Sequence, residues 1–182
     1  KDLVFKRFWE TYKLDSISGG WDYIEPALFG YAAGKAIESF YKFYLDPYQH
    51  IIAHFHEWMT GAGVLYLESN TPFISTVFTT HATVLGRSIS SNGQELYNQL
   101  QLLLPSQKAS ELRVISKNSL EQKAAKVADT FTTVSEITAK ECVQFLGRNP
   151  DVITINGFDD QFVPKGKKFT DFKKSGKNKI LE

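Results

Sequence analysis

The sequence predicts an α/β fold, a parallel sheet flanked by helices, on three observations. Short apolar runs rich in β-branched and aromatic residues fall at 51–56, 73–80, 130–134 and 152–155. Longer segments of helical spacing separate them, as in a chain of βα units. Two of the runs turn abruptly polar where a strand would give way to a helix or loop: His54-Phe55-His56-Glu57-Trp58, and Phe78-Thr79-Thr80-His81-Ala82-Thr83 followed by Gly86-Arg87. Such alternation implies parallel strands with helices on the faces. Right-handed crossovers then put all the carboxyl ends on one edge, the edge beyond which open α/β sheets bind ligands. His56, Glu57, His81, Ser135 and Asn156 are expected there, with Arg87 in a loop just past it.

Each element has a reason. Leu3, Phe5, Phe8, Trp9 and Tyr12 recur at near-helical spacing, so a helix is expected over 2–13. Ser16 to Asp22, with Gly19-Gly20, reads as a loop. A long helix is expected from Ile24 to Leu45, with Pro26 in its first turn, where a missing N–H is tolerated. Gly30 and Gly34 lie on one side of it and would let another element approach closely. Asp46-Pro47 ends it. Ile51 to His56 is the first strand and Glu57 to Leu67 the next helix. Gly61 and Gly63 weaken that helix by about 1 kcal/mol each, which points to tight packing. Phe73 to Thr80 is the second strand. Ser88 to Gly93 reads as a loop, Leu96 to Leu104 as a helix stopped by Pro105, and Ser110 to Ala128 as one further helix. Thr130 to Val134 is the third strand. Ser135 is the expected N-cap of a helix that ends near Gly147. Val152 to Ile155 is the fourth strand, and Asn156-Gly157 reads as a turn.

Composition narrows the function. The chain has 182 residues, 42% hydrophobic and 23% charged, with 21 basic against 20 acidic residues and a net charge of +1. One domain with a real core is possible at this length. The charge balance gives no reason to expect nucleic acid or membrane as a partner. No apolar stretch reaches the ~18 residues that cross a bilayer. The single cysteine, Cys142, forms no internal disulfide, which fits a reducing, cytoplasmic setting. Residues 165–182 form a basic segment, a truncated helix or linker, holding seven of the 21 basic residues between Lys165 and Lys179. Only Phe169 and Phe172 interleave there, too few for a base-stacking platform. The chain starts without Met and stops at Leu181-Glu182, so it is expected to be a piece of a longer protein.

The polar clusters admit several chemistries. His54 and His56 would share one face of a strand. Paired histidines with Glu57 could hold zinc, although no third ligand follows at a usual spacing. They could equally be hydrogen-bonded strand histidines, with Glu57 at the strand's mouth accepting from sugar hydroxyls. Gly-x-Ser-x-Gly, Walker and Gly-x-Gly-x-x-Gly patterns are missing from the sequence, and Gly61-Ala62-Gly63 falls inside a helix. His81 and Arg87 remain, six apart around a small-residue turn. Arg87 is either a phosphate ligand, by its two-pronged donor geometry, or a surface residue.

At these residues the sequence resembles the glycogen synthase family, in its animal and fungal form. The resemblance rests on Ala53-His54-Phe55-His56-Glu57-Trp58-Met59-Thr60-Gly61, on Phe78 to Arg87, on Phe131-Thr132-Thr133-Val134-Ser135-Glu136-Ile137-Thr138, and on Pro150-Asp151-Val152-Ile153-Thr154-Ile155-Asn156-Gly157. It runs from the Trp21 region to about Pro164. Where the family usually reads Thr-Pro-Asn-Gly, this chain has Thr154-Ile155-Asn156-Gly157.

The resemblance implies a GT-B glycosyltransferase, with two Rossmann-like domains and a cleft between them. It implies glucose transfer from a nucleotide sugar, UDP-glucose favoured over ADP-glucose, to the non-reducing end of glycogen or another α-1,4-glucan. It further implies transfer with retention and without a metal or other cofactor. Residues 1–164 would be part of the N-terminal domain. The glycine-rich donor loop and the C-terminal domain would lie outside the chain, and the isolated piece would be inactive. By the same resemblance His81 sits near the transferred glucose. Glu57 contacts the sugar and orients that histidine. Arg87 lies near the donor phosphates, and Asn156 lines the cleft. Thr80 and Ser135 complete the set expected to bind substrate or donor. The alternatives are another GT-B transferase such as a sucrose-phosphate synthase relative, a zinc-dependent hydrolase using His54, His56 and Glu57, and a non-catalytic glucan-binding module.

Overall fold

The computed structural model describes residues 1–46, 49–157 and 165–181, with side chains through Asn178. Its centre is a four-stranded sheet in the order β1 (Ile52–His56), β2 (Ser75–Thr80), β3 (Thr130–Thr133), β4 (Val152–Ile153), parallel throughout. Two helices precede it, α1 (Asp2–Tyr12) and α2 (Trp21–Tyr44). Then α3 (Glu57–Asn70) links β1 to β2. Between β2 and β3 lie α4 (Val84–Ser91), a 3₁₀ turn (Tyr97–Leu102), α5 (Pro105–Glu111) and α6 (Ile115–Val127). Between β3 and β4, α7 (Glu136–Glu141) runs on as a π turn, Cys142–Leu146. The basic helix α8 (Lys167–Leu181) is exposed through Asn178. Among the described residues no helix is long and apolar enough to cross a membrane.

The sheet has two unlike faces. Register aligns Phe55 with Phe78 and Phe78 with Phe131. These rings, with Ala53, are buried against Val64 and Leu67 of α3 and Ala124 and Ala125 of α6 in one core. The rings of Phe78 and Phe131 stack at 6.0 Å between centroids. The opposite face carries Ile52, His54 and His56, then Ser75, Val77 and Thr79, then Thr130 and Thr132. Ile52, His54 and His56 are exposed along it.

The glycines of α2 and α3 bring two backbones into contact. A Cβ on Gly30 would come within 3.0 Å of the Met59 and Thr60 carbonyl oxygens, and one on Gly63 within 2.7 Å of the Gly30 carbonyl. On the other side of α3, a Cβ on Gly61 would lie 2.9 Å from Ala124 Cβ. Close packing therefore offsets the poor helix propensity of these residues.

Several expected boundaries move. Helix α2 begins at Trp21, capped by Gly20, so Pro26 lies in the second turn and not the first. It leaves the Asp22 carbonyl without its helical partner, on a turn where Asp22 is exposed. Leu45 caps the far end, while Pro47 lies outside the described residues. The stretch expected as a loop at 88–93 is mostly helix α4. Thr83 caps it by accepting from the Gly86 N–H, and burial of Val84, Leu85 and Ile89 outweighs the weak propensity of its serines. The helix expected over 96–104 is a 3₁₀ turn, and Pro105 starts a helix instead of merely stopping one.

The single helix expected from 110 to 128 is broken in two. Arg113 takes a left-handed conformation (φ 57°), and the Val114 N–H turns back to the Ala109 carbonyl at 2.8 Å. Strand β2 starts at Ser75, because the Ile74 N–H closes a turn onto the Thr71 carbonyl. Helix α3 continues past Leu67 to Asn70. Strand β4 is two residues long, although the Thr154 N–H still reaches the Thr133 carbonyl at 2.7 Å. Asn156 and Gly157 are exposed beyond it, and the residue that would close the expected turn lies outside the described residues.

Candidate functional site

The carboxyl ends of β1 and β2 are adjacent in the sheet, and their polar residues meet there. Strand β1 stops at His56 because Glu57 adopts a left-handed backbone (φ 65°) that a non-glycine residue enters at a cost. The kink brings the Glu57 side chain across to the end of β2. Its Oε1 accepts the backbone N–H of His81 at 3.1 Å and lies 3.7 Å from an Arg87 guanidinium nitrogen. Oε2 has no hydrogen bond among the described residues. Glu57 is 17% exposed and Arg87 66%. The pair is therefore solvent-screened, and its energetic value is small. Arg87 stands in helix α4, not in the expected loop.

The His81 ring is tied to the same strand end. His56 Nδ1 and His81 Nε2 are 3.1 Å apart, and their ring centroids 5.3 Å. The His54 and His56 rings lie at 4.1 Å between centroids, on one face as the sequence predicts. His54 Nε2 is 2.7 Å from Thr79 Oγ1, which is 2.6 Å from Thr132 Oγ1. A polar string thus runs across three strands and ends at His81. Partial desolvation holds the His56 imidazole below its ordinary pKa although the residue is exposed, helped by the neighbouring His54 and His81 and opposed by Glu57. Among the described residues, no group of three or more His, Cys, Asp or Glu is arranged to hold a metal ion.

Beneath the rim lies a layer that the sequence reading missed. Glu121 of α6 is fully buried. Its Oε1 accepts the Thr80 hydroxyl at 2.6 Å and its Oε2 the Val84 N–H at 2.8 Å, so it holds both ends of the turn that carries His81. Glu141 of α7 is also buried. It accepts from Thr83 Oγ1 at 2.6 Å and Tyr97 Oη at 2.9 Å. Gly86 is required where α4 crosses this layer, since a Cβ there would run into the Glu141 carboxylate. Burial raises the Glu121 carboxyl to about 8, against the pull of the Thr80 and Val84 hydrogen bonds. A sequence signal existed: Glu121 sits between Leu120 and Ala124 on the apolar side of its helix.

The other expected residues are placed less centrally. Thr80 is fully buried and its hydroxyl is committed to Glu121, so its side chain points into the fold and not to the rim. Ser135 caps α7, accepting the Thr138 N–H at 3.1 Å, as expected. Asn156 is exposed past β4, and no hydrogen bond joins it to Glu57, His81 or Arg87 among the described residues. A small cavity of about 140 Å³ opens beside the rim between Glu57, Trp58, Arg87 and Lys117. Lys117 pairs with Asp22 and lies 5.4 Å from the centre of the Trp58 ring.

A parallel sheet flanked by helices, its strand ends gathering imidazole, carboxylate and guanidinium, defines a class: the α/β domains with a polar carboxyl edge. The sequence profile of the glycogen synthase family matches residues 4–182, and the chain belongs to that family. It is similar to a glycogen [starch] synthase of Dictyostelium discoideum, 41% identical over 133 residues, which is 73% of this chain and 15% of the relative. A Caenorhabditis elegans glycogen [starch] synthase is 44% identical over 109 residues, 60% of this chain and 16% of the relative. A liver glycogen [starch] synthase of Mus musculus is 42% identical over 111 residues, 61% of this chain and 16% of the relative. The chain spans about one sixth of the length of these curated relatives.

Proposed function

We propose that this chain forms one wall of a glycogen synthase active site, the part of the N-terminal domain that meets the transferred sugar. The reaction moves glucose from a nucleotide sugar, with UDP-glucose the favoured donor, to the 4-hydroxyl at the non-reducing end of an α-1,4-glucan with retention. It needs no metal or other cofactor and takes place in the cytoplasm. The rest of the cleft comes from residues outside these 182, including a second domain that grips the nucleotide.

The observation that carries this reading is the junction at the ends of β1 and β2. One carboxylate oxygen of Glu57 fixes the His81 backbone and faces the Arg87 guanidinium. In this arrangement Glu57 Oε2 accepts a sugar hydroxyl. The His81 imidazole hydrogen-bonds at the transferred glucose, and Arg87 offsets negative charge that gathers on the leaving diphosphate. Ser135 and Asn156 line the far side of the same edge. The isolated 182-residue chain does not turn over, because the donor lacks half of its contacts.

The test is His81→Ala in the full-length enzyme. Loss of one preorganised hydrogen bond at the reacting centre typically costs ~3 kcal/mol of barrier, so kcat is expected to fall at least about tenfold. An unchanged kcat refutes the assignment.

A further inference from the structure

We propose that His56 is a positioning residue for His81, fixing the direction of its ring and deciding which of its nitrogens carries the proton. The inference rests on the preceding reading, in which His81 serves glucosyl transfer.

The argument begins with the contact itself. A hydrogen bond between His56 Nδ1 and His81 Nε2, 3.1 Å apart, needs one N–H and one bare lone pair. Two imidazolium rings have no lone pair between them and cannot make it. When His56 donates, a neutral His81 carries its own proton on Nδ1 and presents a donor to the sugar. When His81 donates, its Nδ1 is an acceptor. The direction of this hydrogen bond, which follows the tautomer of His56, therefore sets the hydrogen-bonding sense of His81 Nδ1.

His56 is itself held. Its ring lies 4.1 Å from that of His54, which is anchored to Thr79 and through it to Thr132. Below, Thr60 Oγ1 donates to the His56 carbonyl at 2.7 Å. The titratable or charged groups around the ring are His54 on its own strand, His81 at the end of β2, Glu57 at the start of α3, and Arg87 of α4 behind Glu57. Partial burial and then the imidazole neighbours disfavour a proton on His56, which favours the neutral ring that has a lone pair or a single N–H to offer His81.

The experiment uses the full-length enzyme with His56→Ala, His56→Asn and His56→Gln, alongside His81→Ala. An Asn side chain places its amide near the former Nδ1, whereas Gln reaches toward Nε2. His56→Ala is expected to lower kcat about tenfold while KM for the nucleotide sugar moves less than about twofold. His56→Asn should recover most of that loss and His56→Gln little of it. Because Asn does not titrate, the fall in kcat from about pH 7.5 to about pH 5.5 should also be shallower in His56→Asn than in the unmodified enzyme.

An unchanged kcat in His56→Ala beside a lost kcat in His81→Ala overturns this inference and leaves the functional reading standing. A fall that Asn does not rescue, at an unaltered melting temperature, overturns it too. An unchanged kcat in His81→Ala removes the functional reading and the inference together.

Discussion

The rim and the layer beneath it hold the same turn by opposite means. At the rim, Glu57, His81, His56 and Arg87 touch through contacts of 3.1–3.7 Å in an exposed setting. Beneath, Glu121 and Glu141 hold Thr80, Thr83 and Val84 through buried bonds of 2.6–2.8 Å. In water such bonds are cheap to lose, whereas in the interior an abandoned donor keeps its full desolvation cost. The outer residues are thus free to exchange partners with a ligand. The inner pair keeps the turn from following them. Exposed contacts and rigid ones thus fall to different side chains around one turn.

The pH response divides along the same line. Glu121 binds its proton more tightly folded than unfolded, so its contribution to stability is complete below its ordinary value of 4.5 and is lost as pH rises toward about 8. His56 binds its proton less tightly folded, so its contribution is present above the usual imidazole value of 6.5 and is lost as pH falls below it.

The largest effect that separates the two layers is expected from Glu121→Ala. It strands the Thr80 hydroxyl and the Val84 N–H in the core and opens a cavity, costing about 3–4 kcal/mol in urea denaturation. A cost below about 1 kcal/mol would mean that the turn does not depend on the buried acid. Next comes Glu121→Gln, which keeps the shape without the titration. Between about pH 5 and pH 8 the parent protein should lose about 1 kcal/mol per pH unit from this group, and the Gln variant should lack that slope. Equal slopes would place the carboxyl in contact with solvent. The smallest effect on stability is expected at the rim, where Arg87→Ala should shift unfolding by less than about 0.5 kcal/mol. In the full-length enzyme the same change should raise KM for the nucleotide sugar. A large stability loss there would erase the distinction between the layers.

The sequence made the outer layer legible and left only a faint trace of the inner one, for physical reasons. Strands announce themselves by continuous apolar runs, and β1 and β2 end where His56 and Thr80 give way to polar residues. The pairing of Glu57 with His81 follows from two adjacent parallel strand ends, so topology alone brings them close. Glu121 stands among Leu120 and Ala124 on the apolar side of α6, but what it holds emerges only when the β2–α4 turn is folded over it. The break at Arg113 lacked a signal because a non-glycine residue takes the left-handed turn. Helix α4 was obscured by Ser88, Ser90 and Ser91, whose weak propensity yields to the buried Leu85 and Ile89. Asn156 shows the limit of edge counting. It follows a strand end, yet β4 lies two strands from β2, and among the described residues no hydrogen bond joins Asn156 to Glu57, His81 or Arg87.

The backbone twist at Glu57 has a consequence for anyone who tries to harden this domain. Glycine would relax that one dihedral at a gain of about 1 kcal/mol and would discard the carboxylate that anchors His81. Selection for heat resistance alone would therefore drift toward a sturdier molecule with an unmoored imidazole, and the two goals would have to be screened together.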